Sequence, residues 1–343
     1  MEKITIRHIA EAAGVSASTV SRIVNGKGKY SEATRQAVWS VISTMGYSPN
    51  LAAQTLRSNT SSLVGIMIPQ QSSEYFSNLC DCIIHEVIRE CYTPLVCVTL
   101  HDEEIEAAYC RTLAALSAGA VIYLFKETPV KPEGEDIPAI FVGTAPMESE
   151  GAAKILFDVV GGAKQATDEL IRAGCRRILY FKSSRFRDGH LGRYLGYQQS
   201  LWENGLTVTE ELNVVAGNRE EHSVTQTVED LLNRNVSFDG IFANTVSTAV
   251  EATNCLRKFG IRVPEDVKVI SLENGPLAEM VSPGISAIEM DAQQTCRSVL
   301  TALNQIIRQR NTQCGTTRIP PVLFARESTR KALKKGVTAD EIP

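Results

Sequence analysis

A chain of 343 residues is longer than one hydrophobic core usually organises, so two or three domains are expected. Apolar residues at 43% and charged residues at 22% exclude a disordered chain, and no apolar run approaches the ~20 residues of a bilayer span. The start, Met1 to Arg7, lacks the apolar stretch of a secretory signal, so a cytoplasmic location away from any membrane is expected. Nine scattered cysteines without paired Cys-x-x-Cys motifs fit reduced thiols, and neither a metal nor a cofactor is expected. The net charge of −4 argues against nucleic acid until its distribution is considered. Residues 1–60 hold seven basic residues against three acidic ones, a net of +4, which leaves −8 for the remainder. A small basic head on an acidic body is the pattern expected when only the head meets phosphates.

Ile6, Ile9, Ala10 and Ala13 recur at helical spacing, which predicts a first helix over 5–13 that Gly14 stops. Ser16 can cap a second helix through residue 24, with Val20 and Ile23 buried and Ala17, Ser18, Ser21 and Arg22 pointing elsewhere. Ser31 caps a third, with Val38, Val41, Ile42 and Met45 as its buried stripe, and Gly46 ends it. Helix, glycine turn and helix make a helix-turn-helix, in which the second helix enters the major groove.

The run IRHIAEAAGVSASTVSRIVN from Ile6 to Asn25 resembles the DNA-binding head of the LacI/GalR family of bacterial transcription regulators, as do Ser31 to Arg35 and Gly46 to Asn50. The resemblance implies that Ala17, Ser18 and Arg22 read bases, arginine being suited to guanine O6 and N7. It implies backbone contacts from Ser16, Thr19, Ser21 and Asn25, although Ser16 also reads as a plain helix cap and Thr19 as a core-edge residue. Pro49 to Arg57 resembles the family's hinge helix, with Leu56 as a minor-groove wedge and Ala53 as a small contact residue. The head thus covers 1–48, and the hinge and polar linker cover 49–62.

From residue 63, strand-like runs alternate with amphipathic stretches. Candidate strands are 63–68, 95–99, 120–124, 139–142, 177–181, 240–243, 267–272 and 322–325, and helical stretches include 75–90, 102–117, 161–173, 221–235, 246–259 and 291–310. Such alternation predicts parallel sheets covered on both faces, and its length predicts two lobes. Gly65 to Pro69, Gly196 with Tyr197, Asp239 to Asn244, Val263 to Val267 and Arg326 to Thr329 resemble the same family's sensor. That resemblance implies a periplasmic-binding-protein-like fold over 63–330 with three crossovers. The N-lobe would take 63–158 and 290–318, the C-lobe 159–289 and 319–330, and 331–343 would be a tail without leucine heptads.

The resemblance further implies an effector between the lobes, a sugar or sugar derivative, contacted by Tyr75, Phe76, Asp158, Arg193, Asn244 and Glu273. Tyr75 and Phe76 read equally as core aromatics, and Asp158 as a cap. Val159, Thr245 and Asn274 stand where the family pattern has Asn, Asp and Asp, which weakens the inference of a common hexose and leaves open a modified or acidic sugar, a nucleoside or a ligand outside carbohydrates. The whole reads as a homodimeric repressor of pseudopalindromic operator DNA. A transport component would need export, and the five histidines sit in no H-E-x-x-H or G-x-S-x-G context, so no enzyme is expected.

Overall fold

The computed structural model describes residues 4–24, 30–46, 61–69, 73–126, 137–146, 149, 151–182, 188–215, 223–311 and 314–330. Asn25, the hinge residues Ala53 and Leu56, and the tail 331–343 lie outside the described residues. The chain divides into two compact units, Met1–Ser61 and Ser62–Pro343.

In the first unit, α1 (Ile6–Ala13) starts at Thr5, whose backbone N–H donates to His8 Nδ1 at 3.4 Å. It ends at Gly14, where φ is +64°, a left-handed turn that a β-carbon would strain. Ser16 then opens α2 (Ala17–Val24), its Oγ accepting from the Thr19 N–H at 3.1 Å. Ser31 Oγ caps α3 (Glu32–Met45) in the same way through Thr34, also at 3.1 Å. Ile9, Ala10, Val20, Ile23, Val38 and Ile42 form the core, with Ile6, Ala13, Val41 and Met45 packed around them. Each isoleucine or valine buried here stabilises by roughly 1.5–3 kcal/mol, so a head this small depends on nearly all of them.

The second unit carries two six-stranded sheets. In the N-lobe, β1 (Leu63–Ile68), β2 (Thr93–Val98), β3 (Ala120–Leu124), β4 (Ala139–Gly143), β5 (Ala153–Phe157) and β11 (Thr316–Ile319) run parallel in the order β11-β5-β4-β3-β1-β2. In the C-lobe, β6 (Ile178–Lys182), β7 (Asn213–Val215), β8 (Gly240–Ala243), β9 (Lys268–Ser271), β10 (Ser286–Met290) and β12 (Pro321–Phe324) follow the order β12-β10-β9-β8-β6-β7. Only β12 is antiparallel to its neighbour there, at the sheet edge. The chain crosses between lobes after β5, after β10, and between β11 and β12 through Pro320.

Helices cover the sheets: α4 (Glu74–Arg89) and α5 (Glu103–Ala115) in the N-lobe, with α11 (Ala292–Leu303) and its π-turn continuation Asn304–Arg308. The C-lobe holds α6 (Val159–Arg172), α7 (Asp188–Glu203), α8 (Val224–Asn233), α9 (Val246–Lys258) and the short α10 (Pro276–Met280). All five residues of β3 are buried, as expected of a strand covered on both faces, which is why its continuous apolar run was readable.

The strands absent from the sequence reading are β5, β7, β10 and β11. β5 and β10 are interrupted by Lys154 and Glu289, β7 has three residues, and β11 is mostly exposed. Helix α7 was also missed, because glycines at 189, 192 and 196 lower its helix propensity. Gly196 serves packing: a β-carbon there would run into the carbonyl oxygen of Val160 on α6.

Candidate DNA interface and effector cleft

On α2, residues 17, 18, 21 and 22 fall within one arc of the helix surface, opposite the buried pair Val20 and Ile23. Ser16, Ala17, Ser18 and Arg22 are exposed, and Thr19 and Ser21 are half-buried. Arg22 Nε donates to the Ser18 carbonyl at 3.3 Å, which folds the guanidinium along the helix while its two terminal nitrogens remain available for a bidentate contact. The Ser16 hydroxyl lies 2.8 Å from both Ser18 Oγ and Thr19 Oγ1, so the cap also orients the Ser18 hydroxyl. Ala17 offers a methyl group alone. The predicted readers therefore share one solvent-facing surface, with Arg22 its only charged member among the described residues of α2.

In the sensor, polar residues collect where the strands end. Asn244 follows β8, Glu273 and Asn274 follow β9, and Arg193 lies on α7, which follows β6. Ser73, Glu74 and Tyr75 come from the opposite lobe, at the start of α4 after β1. Crevices beyond the carboxyl ends of parallel strands are where α/β folds bind ligands.

Arg193 Nη2 and Glu273 Oε1 are 4.0 Å apart, with side chains 21% and 13% exposed. That is too long for a direct hydrogen bond, so the pair is electrostatic and both groups keep bonding capacity. Burial pushes the Glu273 carboxyl above the ordinary glutamate value, while Arg193 and a hydrogen bond from Ser73 pull it back down. Arg193 sits one turn before Tyr197, which is fixed by donation from its hydroxyl to the Ile178 carbonyl at 2.9 Å and by stacking on Tyr180 at 4.8 Å. Anchored aromatics of this kind hold the helix face that carries the arginine.

Asn244 is 7% exposed, and its Oδ1 has no hydrogen-bond partner among the described residues. Asn274 Oδ1 is also buried and unpartnered, although its Nδ2 donates to Glu289 Oε2 at 2.6 Å. That bond settles which end of the amide is which, and it accounts for asparagine at 274. An aspartate there would place a second carboxylate against Glu289. Thr245, the other departure from the family pattern, caps α9 by accepting from the Thr248 N–H at 3.2 Å.

Tyr75 lies beside these groups. Its hydroxyl donates to the Met290 carbonyl at 3.2 Å, and burial followed by the charges of Glu289, Glu273 and Asp291 raises its pKa, keeping the phenol protonated. Phe76 instead faces the N-lobe core, its ring 5.4 Å from that of Phe125. Asp158 is exposed and caps α6, accepting from the Gly161 N–H at 2.9 Å. The structure thus brings together Tyr75, Arg193, Glu273 and Asn274, with Asn244 on the neighbouring strand end, while Phe76 and Asp158 occupy structural positions. Ser73, Glu74 and Glu289 were not foreseen, because their role depends on the opposite lobe or on a strand that the sequence reading missed.

A helix-turn-helix head followed by a two-lobed α/β body with a polar interlobe cleft defines a ligand-responsive DNA-binding regulator. Residues 5–50 match the model of bacterial regulatory proteins, lacI family, and residues 167–329 match the periplasmic binding protein-like domain. The chain thus carries the DNA-binding head of the lacI family of bacterial regulatory proteins and a periplasmic binding protein-like domain, and it is a DNA-binding transcription regulator of the repressor type. It is 27% identical over 329 residues to the ribose operon repressor of Halalkalibacterium halodurans, covering 95% of this chain and 97% of that one. It is 25% identical over 331 residues to the HTH-type transcriptional repressor PurR of Vibrio atlanticus, covering 95% and 98%. Among solved structures, the lac repressor dimer bound to operator and the anti-inducer ONPF has a TM-score of 0.79 at 21% identity, over 96% of this chain and 99% of that one. The transcriptional regulator CelR–cellobiose complex has a TM-score of 0.69 at 24% identity, over 95% and 99%. Among the described residues, no helix is long and apolar enough to cross a membrane.

Proposed function

We propose that this protein is a cytoplasmic, homodimeric repressor whose operator affinity is set by a small, hydroxyl-rich effector, a sugar or sugar derivative, held between the lobes of its sensor. The buried, unpartnered Oδ1 of Asn244 carries this reading, and Asn274 Oδ1 reinforces it. A buried carbonyl oxygen without a donor costs about 1–3 kcal/mol, which a hydroxyl or amino donor from a ligand would recover. Glu273 and Glu289 add further acceptors, and Arg193 supplies a donor. A cleft richer in acceptors than in donors suits a neutral polyol or aminated sugar and disfavours a phosphorylated one. The cellobiose bound by one structural neighbour supports a carbohydrate.

Ala17, Ser18 and Arg22 read operator bases in this scheme, with Ser16, Thr19, Ser21 and Asn25 on the backbone and Leu56 and Ala53 in the minor groove. Two heads of a dimer meet the two halves of a pseudopalindrome. Effector binding changes how the lobes close, and linkage requires that operator binding change effector affinity by the same factor. The effector leaves the cleft chemically unchanged.

Thermal unfolding of the full chain against neutral sugars, amino sugars, nucleosides and sugar phosphates tests the reading. A ligand at 100 times its dissociation constant adds about 2.7 kcal/mol to stability. A neutral or aminated sugar should raise the midpoint and change operator affinity. Stabilisation by sugar phosphates alone would contradict the proposed ligand class.

A further inference from the structure

Helices α4 and α11 lie side by side in the N-lobe and run in the same direction. At one end the Tyr75 hydroxyl donates to the Met290 carbonyl at 3.2 Å, and at the other the Tyr92 hydroxyl donates to Asn304 Oδ1 at 3.1 Å. The sequence separations, 215 and 212 residues, are nearly equal, so the two helices are matched turn for turn. Midway between these bonds, Cys82 of α4 and Cys296 of α11 meet with their sulfurs 2.6 Å apart. The thiols cannot drift apart without disturbing a helix pair already tied at both ends.

The two cysteines differ in access. Cys82 is half-buried at the edge of the core, whereas Cys296 is 3% exposed, and burial with the nearby Cys82 raises its pKa and keeps it a thiol. Cys80, on the same helix, is buried at 1% exposure in the core. An accessible sulfur backed by a second one in contact is the arrangement of a reacting and a resolving cysteine.

We infer that Cys82 and Cys296 are a redox modification site, a dithiol that a hydroperoxide converts to an intramolecular disulfide. The Cys82 thiolate attacks one peroxide oxygen, the O–O bond breaks, and Cys82 becomes a sulfenic acid as hydroxide leaves. The Cys296 sulfur then attacks Cys82, forming the S–S bond and expelling the sulfenic oxygen, which departs as water with the thiol proton. Overall two thiols and one hydrogen peroxide give one disulfide and two waters, and the two electrons lost by sulfur reduce the peroxide. A dithiol reductant reverses the bond by exchange. The disulfide would clamp α4, which carries Glu74 and Tyr75 to the cleft, against α11, which begins just after the β10 crossover.

The test treats the reduced full chain with hydrogen peroxide, alkylates the remaining thiols, and maps the digest by mass spectrometry. The expected product is one cross-linked peptide joining Cys82 to Cys296, lighter by two hydrogens, with the free-thiol count falling by two. Its thermal midpoint should rise by a few degrees and return on adding dithiothreitol. Cys80→Ser should retain the cross-link, whereas Cys82→Ser and Cys296→Ser should each lose both the cross-link and the midpoint shift. Cys296→Ala serves as a second variant if the buried serine impairs folding. Unchanged thiols, a sulfinic acid at Cys82 without a cross-link, or a cross-link through Cys80 would each overturn the assignment.

Discussion

Glu74 Oε2 accepts a hydrogen bond from the Leu277 backbone N–H at 3.3 Å, so the first turn of an N-lobe helix holds the first turn of a C-lobe helix. The Leu277 N–H is one of the donors that α10 cannot satisfy internally, and a carboxylate at a helix start is favoured by the positive end of the helix dipole. Ser73, the residue before Glu74, sits close enough to Glu273 of the other lobe to lower the pKa of its carboxyl. The Glu74 bond joins the lobes between residues 203 positions apart in the chain.

Removing the acceptor should loosen closure. Glu74→Ala is expected to cost about 1 kcal/mol of interlobe contact, which would weaken effector affinity roughly fivefold. Glu74→Gln retains an oxygen and should lose less. Titration calorimetry with whichever ligand stabilises the full chain measures both, and equal affinities for all three proteins would rule out a closing role for Glu74.

Arg193→Ala should abolish effector binding and also destabilise the sensor, because Glu273 would stay buried without its counter-charge. A fully buried pair broken on one side loses roughly 3–5 kcal/mol, and the partial exposure of Arg193 brings the expectation down to about 2 kcal/mol. The double variant Arg193→Ala with Glu273→Gln should regain most of that stability without regaining the ligand. Denaturant unfolding beside a binding assay separates the two effects; recovery of binding in the double variant would contradict the ligand role of Arg193.

Glu273 also predicts a pH dependence. Its native pKa lies above the unfolded value of about 4.3, so between the two the folded chain binds more protons than the unfolded chain. Its contribution is therefore fully present below the unfolded pKa and is lost as pH rises through the native one. Glu273→Gln should flatten that slope. Unfolding free energies from pH 4 to pH 7 check it, and parallel curves for the two proteins would refute it.

In the head, Arg22→Ala should cost about 1–3 kcal/mol at one operator position and relax base preference there, as loss of a bidentate contact does. Ser18→Ala should cost much less, since the Ser18 hydroxyl is already shared with Ser16. Competition binding across operators with single base changes reads both. A uniform loss over all sequences for Arg22→Ala would mean that it contacts phosphate instead.

The head was legible almost residue by residue. Its three helices, their caps at Ser16 and Ser31, the glycine stops and the buried stripe all depend on neighbours three or four positions away; of the expected apolar residues, Ile9, Ala10, Val20, Ile23, Val38 and Ile42 are buried, while Ile6, Ala13, Val41 and Met45 are partly buried around them. In the body, long apolar strands such as β1 and β3 were legible, because burial on both faces demands an unbroken apolar run. The polar-interrupted β5 and β10, the short β7, the exposed β11 and the glycine-rich α7 were not, since their conformation follows from what packs against them.

The cleft was half legible. Arg193, Asn244 and Glu273 carry family signals, yet the same kind of reasoning selected Phe76, which faces the core, and Asp158, which caps a helix. Local periodicity and capping chemistry, written within a few residues, by themselves determined a basic helix-turn-helix ahead of an alternating α/β body. The tertiary structure alone decided that Glu74 reaches Leu277, that Asn274 answers Glu289, and that Cys82 meets Cys296. Each of those contacts exists only after the sheets have formed and the chain has crossed between lobes, and no local pattern encodes a distance between side chains so far apart in sequence.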